Sequence, residues 1–190
     1  MTAFRFNCPS FLETPRLTLR VFQKRDNQAL YTAVRESAQA LMPYLPWCHP
    51  DYALQDAEDW ISFAHRTWQD CTQFAFVIEN KMTRQLVGGC GLDSPTEVGS
   101  ANLGYWLRTS QTCKGYATEA ARHLANVGLT QLGLQQIDIT MSVTNKASEQ
   151  VAIRCGAVFQ GRKTKALWLH GTPHDTHHYA LRHPSINFSV

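Results

Sequence analysis

The chain has 190 residues, 44% of them hydrophobic and 17% charged, and a formal net charge of +3. That length supports one full-size core, and that apolar share excludes intrinsic disorder. No apolar run reaches the roughly 18 to 20 residues of a membrane helix, Met1 to Pro15 has no signal-peptide pattern, and the scattered basic residues form no stripe for a nucleic-acid backbone.

These readings point to a cytoplasmic protein, a single domain over residues 1–190, with no membrane or nucleic-acid partner. The six cysteines show no Cys-x-x-Cys spacing and read as reduced thiols.

After Pro15, Leu17, Leu19 and Val21 alternate with Thr18 and Arg20, the period of a strand. Asp26 stands where a helix N-cap belongs, and Leu30, Ala33, Val34 and Leu41 follow at helical spacing through about Ala40. Pro43, Pro46 and Pro50 then leave Tyr44, Leu45, Trp47 and His49 on a loop. Aromatic residues there line a pocket or plug the space beneath. Asp56 to Trp68 reads as a second helix. Phe74 to Ile78, Leu86 to Leu92 and Leu103 to Leu107 read as strands, the first two joined by the polar turn Asn80 to Arg84.

An alanine-rich helix runs from Gly115 to about Gln131, and Gln136 to Val143 alternates as a strand. Asn145 to Cys155 is a helix stopped by Gly156. Val158 to Leu169 and Thr176 to Leu181 form a last strand pair around a turn at Gly171 to Pro173. The order gives a mixed α/β (α+β) fold rather than a doubly wound parallel one.

The richest segment runs from Leu107 through Arg108, Thr109, Thr112, Cys113 and Lys114 to Gly115, Tyr116 and Ala117. A strand enters a polar turn that opens a helix, and the first N–H groups of a helix have no internal partner. Such a start suits a phosphate, and Gly115 and Ala117 leave room for it. The glycine spacings of a P-loop and of a dinucleotide fingerprint are both absent. A plain strand-to-helix connection has the same pattern.

Four segments, in order, resemble the GCN5-related N-acetyltransferases (GNAT) of the ribosomal-protein N-terminal acetyltransferase (RimJ/RimL-like) branch. They are Glu13 to Arg20, Leu103-Gly104-Tyr105-Trp106-Leu107, Gly115 to Ala120, and Asn145 to Ser148 with Cys155 to Phe159. The resemblance implies a splayed mixed sheet flanked by helices, with acetyl-CoA between two parallel strands that part at Tyr105 to Leu107 and Ile139 to Val143. Its arm would bond to the open strand edges. Its contacts would be Leu107, Arg108, Thr109, Thr112, Cys113, Lys114, Gly115, Tyr116, Ala117, Asn145 and Ser148. Two departures stand out. The loop carries Thr112 and Cys113 where the family has Gln or Arg and then often Gly, and Asn102 occupies the position of a frequent acidic residue.

The resemblance implies direct transfer of an acetyl group to a primary amine, with the N-terminal α-amine of a protein or peptide as first acceptor. A small amine such as an antibiotic or toxin is the alternative, and a non-catalytic acyl-CoA-binding module is another. An open acidic trough would suit a peptide and a closed aromatic pocket a small molecule. Asn102 cannot act as a base, whereas an α-amine with a pKa near 7.7 to 8.0 arrives partly neutral.

Ser148 is the expected donor to the leaving thiolate, with a capping role as its structural alternative. His49 is a candidate base, and Asp93 and Glu97 lie in loops that could approach the acceptor. Tyr44, Trp47, Asn102 and Trp106 are expected acceptor contacts. His170, His174, His177, His178 and His183, near Asp175, invite zinc, but their spacing is uneven and no metal is expected. The assembly is read as a monomer or homodimer.

Overall fold

The computed structural model describes residues 7–93 and 99–183. In chain order the elements are β1 (Phe11–Glu13), β2 (Leu17–Val21), α1 (Asn27–Leu41), α2 (Leu54–Gln69), β3 (Gln73–Asn80), β4 (Leu86–Asp93) and β5 (Ser100–Leu107). There follow α3 (Tyr116–Thr130), β6 (Gln136–Ser142), α4 (Lys146–Cys155), β7 (Val158–Leu169) and β8 (Thr172–Arg182). Every element expected from the sequence is present, with bounds shifted by a few residues. The addition is β1, whose three residues are too few to display a period.

The strands form one eight-stranded sheet in the order β1-β2-β3-β4-β5-β6-β8-β7. Neighbours are antiparallel except β5 and β6, which are parallel. Alternation sorts the side chains by face. Phe74, Phe76 and Ile78 join Leu92, Leu103 and the α3 residues Ala120, Leu124 and Val127 in one core. Ala75 and Val77 join Leu30 and Val34 of α1 and Ala57 and Ile61 of α2 in the other. Each large side chain so buried contributes about 1.5 to 3 kcal/mol.

Two readings change in detail. Asp26 does occupy the N-cap of α1, but its side chain makes no capping bond to that helix. It instead accepts from the Gln23 N–H at 2.8 Å and from both terminal nitrogens of Arg20, at 2.7 and 2.8 Å. Arg20 also donates to Glu79 at 3.0 Å, and all three residues are buried. A bidentate charge pair that crosses from β2 to the head of α1 outcompetes a local cap.

The last hairpin turns one residue pair earlier than expected, at His170 and Gly171, both with positive φ. Pro173 therefore lies inside β8, opposite Trp168, where β6 has not yet begun to pair. Its missing N–H costs no ladder bond on that side.

Asp26→Ala leaves the Arg20 guanidinium buried with half its partners gone. The expected loss is about 3 to 5 kcal/mol, read as a lower urea midpoint with an unchanged slope.

Candidate functional site

The parallel pairing of β5 with β6 covers three residue pairs, Ser100–Gln136, Ala101–Ile137 and Asn102–Asp138. The two strands are apart from Leu103 onward, earlier than the Tyr105 expected from the sequence. The β6-facing edge of Leu103 to Leu107 therefore carries no ladder and stands ready to bond an extended group. A cavity of about 780 Å³ opens at this gap. It is lined on one side by Ile139 to Ser142, Asn145 and Ser148, and on the other by Tyr44, Trp47, Asn102 and Trp106.

The expected acceptor contacts do line this cavity. Trp47 meets Trp106 edge-on, with ring centroids 5.9 Å apart. Gly89 makes room for that wall, since a Cβ there would stand 2.8 Å from Trp106 Nε1. Asp56, Asp59 and Asp93 add carboxylates.

Ser148 lies in the first turn of α4. Its backbone N–H is capped by the Asn145 side chain at 3.1 Å, so its own hydroxyl is not the cap. That hydroxyl lies 3.0 Å from the Tyr105 phenol, which also reaches the Ser148 carbonyl at 3.0 Å. Burial pushes the Tyr105 phenol up, so it keeps its proton. In the sequence Tyr105 shows only as part of a strand motif, because nothing there reports its pairing with a residue 43 positions later.

Glu149, next to Ser148, anchors this turn to the sheet. It accepts from Lys146 at 2.8 Å and Tyr179 at 3.1 Å and lies 2.8 Å from His177 Nδ1. The Lys146 ammonium and then His177 hold its carboxyl down at about 2.

The turn before α3 is narrower as a ligand site than the sequence implied. The Arg108 N–H already bonds Val87, the Thr109 N–H bonds Ser37 Oγ at 2.9 Å, and the Thr112 N–H bonds Thr109. These backbone donors are spent, and the Arg108 guanidinium is bound to Glu36. The N–H groups of Cys113, Lys114, Gly115, Tyr116 and Ala117 meet no acceptor among the described residues. Cys113 and Gly115 have φ of +61 and +79, which curls these donors into a concave nest.

A carboxylate, Glu119, sits in the same first turn and would repel an anion. Arg16 offsets it with its backbone N–H at 2.9 Å and Nε at 2.6 Å, and it also donates to the Lys114 carbonyl at 2.9 Å. Burial works to raise Glu119, but bonds from Thr14 and Arg16 outweigh it and hold the carboxyl below its ordinary value. Arg16, Gly115, Arg122, His123 and Arg154 line a second cleft of about 770 Å³ beside the nest. Three arginines there could serve phosphate groups, and only the fold gathers them.

His49 is not brought to the gap. It lies outside the cavity lining, 3.7 Å from Asp56 and against the Tyr52 ring. Asp93 is brought there, as the last residue of β4. Glu97 lies outside the described residues. Among those residues no three His, Cys, Asp or Glu groups converge as a metal site. His177 faces Glu149, His178 sits between Thr140 and Thr176, and Asp175 binds Arg162. No described helix is long and apolar enough to cross a membrane.

A family model described as acetyltransferase (GNAT) domain matches residues 16–158. The chain belongs to the GNAT acetyltransferase family. It is thus an acetyl-CoA-dependent N-acetyltransferase. YdaF of Bacillus subtilis, provisionally named a ribosomal N-acetyltransferase, is 26% identical over 167 residues, 87% of this chain and 90% of its own. A Vibrio cholerae structure provisionally named a ribosomal-protein-serine acetyltransferase superposes with a TM-score of 0.82 at 25% identity, covering 90% of this chain and 97% of its own.

The ribosomal α-N-protein acetyltransferase RimL, solved with coenzyme A, shares the fold with a TM-score of 0.84 at 21% identity, over 90% and 97%. In this GNAT chain the three spent donors at Arg108, Thr109 and Thr112 serve the turn itself, and the concave nest is what remains for a ligand.

Glu36 braces that turn by holding Arg108 and the Ser110 N–H, and the Arg108 guanidinium then Ser110 draw its carboxyl down to about 2. A depressed carboxylate contributes stability above its unfolded pKa of about 4.3 and loses it as pH falls toward the folded value. Glu36→Gln should therefore melt lower than the unmutated enzyme at pH 7, and the gap should close between about pH 4.3 and 2. Melting curves across that range check it.

Proposed function

We propose that this acetyltransferase moves the acetyl group of acetyl-CoA directly to the N-terminal α-amine of a protein or peptide, as a single domain working in the cytoplasm. The observation that carries the reading is one continuous cavity joining the β5–β6 gap, Ser148 and the acceptor walls. Donor and acceptor can then meet without a carrier, and positioning supplies much of the rate. The relatives named for ribosomal-protein acetylation support a protein acceptor. The carboxylates Asp56, Asp59 and Asp93 suit a cationic amine.

The aromatic walls Tyr44, Trp47 and Trp106 favour a second reading, a small amine with an aromatic body. A thiol-release assay with acetyl-CoA against peptides and a panel of small amines separates the two by kcat/KM.

The residues fit acetyl-CoA. The free edge of Leu103 to Leu107 would hold the extended arm, the Cys113 to Ala117 nest the pyrophosphate, and Arg16, Arg122 and Arg154 a further phosphate. Bound acetyl-CoA supplies a thioester open to attack by a neutral amine.

Ser148 would give a proton to the departing sulfur. When the Tyr105 phenol donates to Ser148 Oγ, the serine's own proton is free to point into the cavity. Cys90 also lines the cavity, but burial raises its thiol and keeps it protonated, which favours direct transfer over an acetyl-cysteine. Cys155 is half-buried, its thiol raised by burial to about 11, and equally unsuited as a carrier.

Ser148→Ala is expected to lower kcat by about ten- to a thousandfold, as for other single positioned donors. Acetyl-CoA affinity and melting temperature should hardly move, because Asn145 caps the backbone rather than the hydroxyl. Steady-state kinetics beside a melting curve test this.

Gly115→Glu and Gly115→Gln share the backbone strain of φ +79. Only the first adds a charge against the pyrophosphate. The Glu variant should bind acetyl-CoA about tenfold or more weaker than the Gln variant, a difference of about 1.4 kcal/mol by calorimetry.

A further inference from the structure

Asp93 closes β4 and lies opposite Gln73 on β3 and Asn102 on β5. Both neighbours bond its carboxylate. Gln73 Nε2 donates to Oδ1 at 2.6 Å, and the Asn102 side chain also donates. The other oxygen, Oδ2, lies 3.6 Å from where a Cβ on Gly104 would stand. Because position 104 has no side chain, that oxygen has open space beside it within the cavity that Tyr105 and Ser148 also line.

We propose that Asp93 is the general base of the transfer, taking the proton of the acceptor's ammonium through Oδ2. The proposal rests on the reading that the acceptor is a primary amine.

The other ionisable groups of the cavity are poorly suited. Asp56 is engaged with the Ala53 N–H at 2.7 Å and faces His49. Asp59 is exposed on α2 and accepts from Gln55. Arg66, exposed on the same helix, does not deprotonate. Tyr44 is a phenol, and Tyr52 and Tyr105 are phenols raised further by burial. Asp93 is set deeper than Asp59 or Arg66, at the sheet beside the strand gap.

Register explains how an acid can be missing from position 102 and still be present. Directly opposed residues on one sheet face stand about 5 Å apart. The carboxylate has moved one strand across, and Asn102 has become the donor that orients it. Burial raises the Asp93 carboxyl above its ordinary value, against the lowering effect of Gln73 and Asn102. A stronger base results, better matched to an α-amine near neutral pH.

The step balances. An N–H bond of the ammonium breaks and an O–H bond forms at Asp93, and the electron pair stays on nitrogen. That pair forms the N–C bond to the acetyl carbonyl carbon. That bond leaves the nitrogen with a surplus proton. The C–S bond breaks with its pair leaving on sulfur, and the nitrogen loses that second proton to become the amide. A proton relayed through Ser148 makes the free thiol, so that Ser148 ends unchanged.

The test compares acceptors of ordinary pKa with primary amines acidified by neighbouring fluorine, which arrive neutral. Asp93→Asn should lower kcat/KM for the ordinary amines by about 10²- to 10⁴-fold at neutral pH. The loss for the acidified amines should be far smaller, and acetyl-CoA affinity by calorimetry should be unchanged. Gly104→Ala, which leaves the Asp93 hydrogen bonds in place and sets a methyl beside Oδ2, should show the same selective loss even if Asp93→Asn does not fold.

Equal losses for both classes of amine would mean a purely structural Asp93 and overturn the proposal, as would kcat/KM within threefold of the unmutated enzyme. An unmutated enzyme that acetylates no primary amine of either class would overturn the acceptor reading itself, and the proposal with it.

Discussion

The constraint on which the site depends is the short pairing of β5 with β6. Three residue pairs hold these strands together, and beyond Asn102 and Asp138 they separate. A parallel pair continued to Leu107 would satisfy the β5 edge internally and close the cavity. Their separation leaves a strand edge with unmet hydrogen-bonding capacity, which is costly in a buried setting unless a ligand or water meets it. The same gap joins the helix α4 side, with Ser148, to the α1 and α2 side, with its aromatic walls. One departure from regular pairing thereby makes the binding edge and the passage between two substrates.

The turns around the gap are held by charges from distant parts of the chain. Glu36 on α1 takes Arg108 and the Ser110 N–H, and Arg16 before β2 takes Glu119 and the Lys114 carbonyl. Both clamps use backbone groups as well as side chains, so they shape the loop and do more than add surface ion pairs, which on their own contribute little. The Arg16 clamp has a second effect. It neutralises an acid that helix α3 carries in its first turn, and so preserves the positive end of that helix for an anion. Glu149 performs a comparable service for α4, tying the Ser148 turn to Tyr179 and His177 of β8.

The histidine-rich hairpin shows how composition alone misleads. Five imidazoles and an aspartate near one another in sequence resemble a metal site, but the pairing of β7, β8 and β6 disperses them. His177 turns to Glu149, His178 to two threonines, and His170 to the Met42 carbonyl. Asp175 is engaged by Arg162 and the Lys165 N–H. Strand geometry sends adjacent side chains to opposite faces, and the imidazoles of His170, His177 and His178 each have a partner of their own.

Local pattern determined most of the architecture. The alternation at Leu17 to Val21 and Gln136 to Val143, the helical spacing from Leu30 to Leu41, and the glycine stop at Gly156 are short-range signals, and each produced the element it announced. Asn145 as a cap, Ser148 in a first turn and Gly115 at a helix start were legible for the same reason, since each is fixed by neighbours within a few residues. What the tertiary structure alone decided are the relations between distant positions. Tyr105 meets Ser148, Asp93 stands across from Asn102, Arg16 neutralises Glu119, and His49 falls outside the cavity. Those relations follow from strand register and helix packing, which bring together residues whose separation along the chain carries no periodic trace.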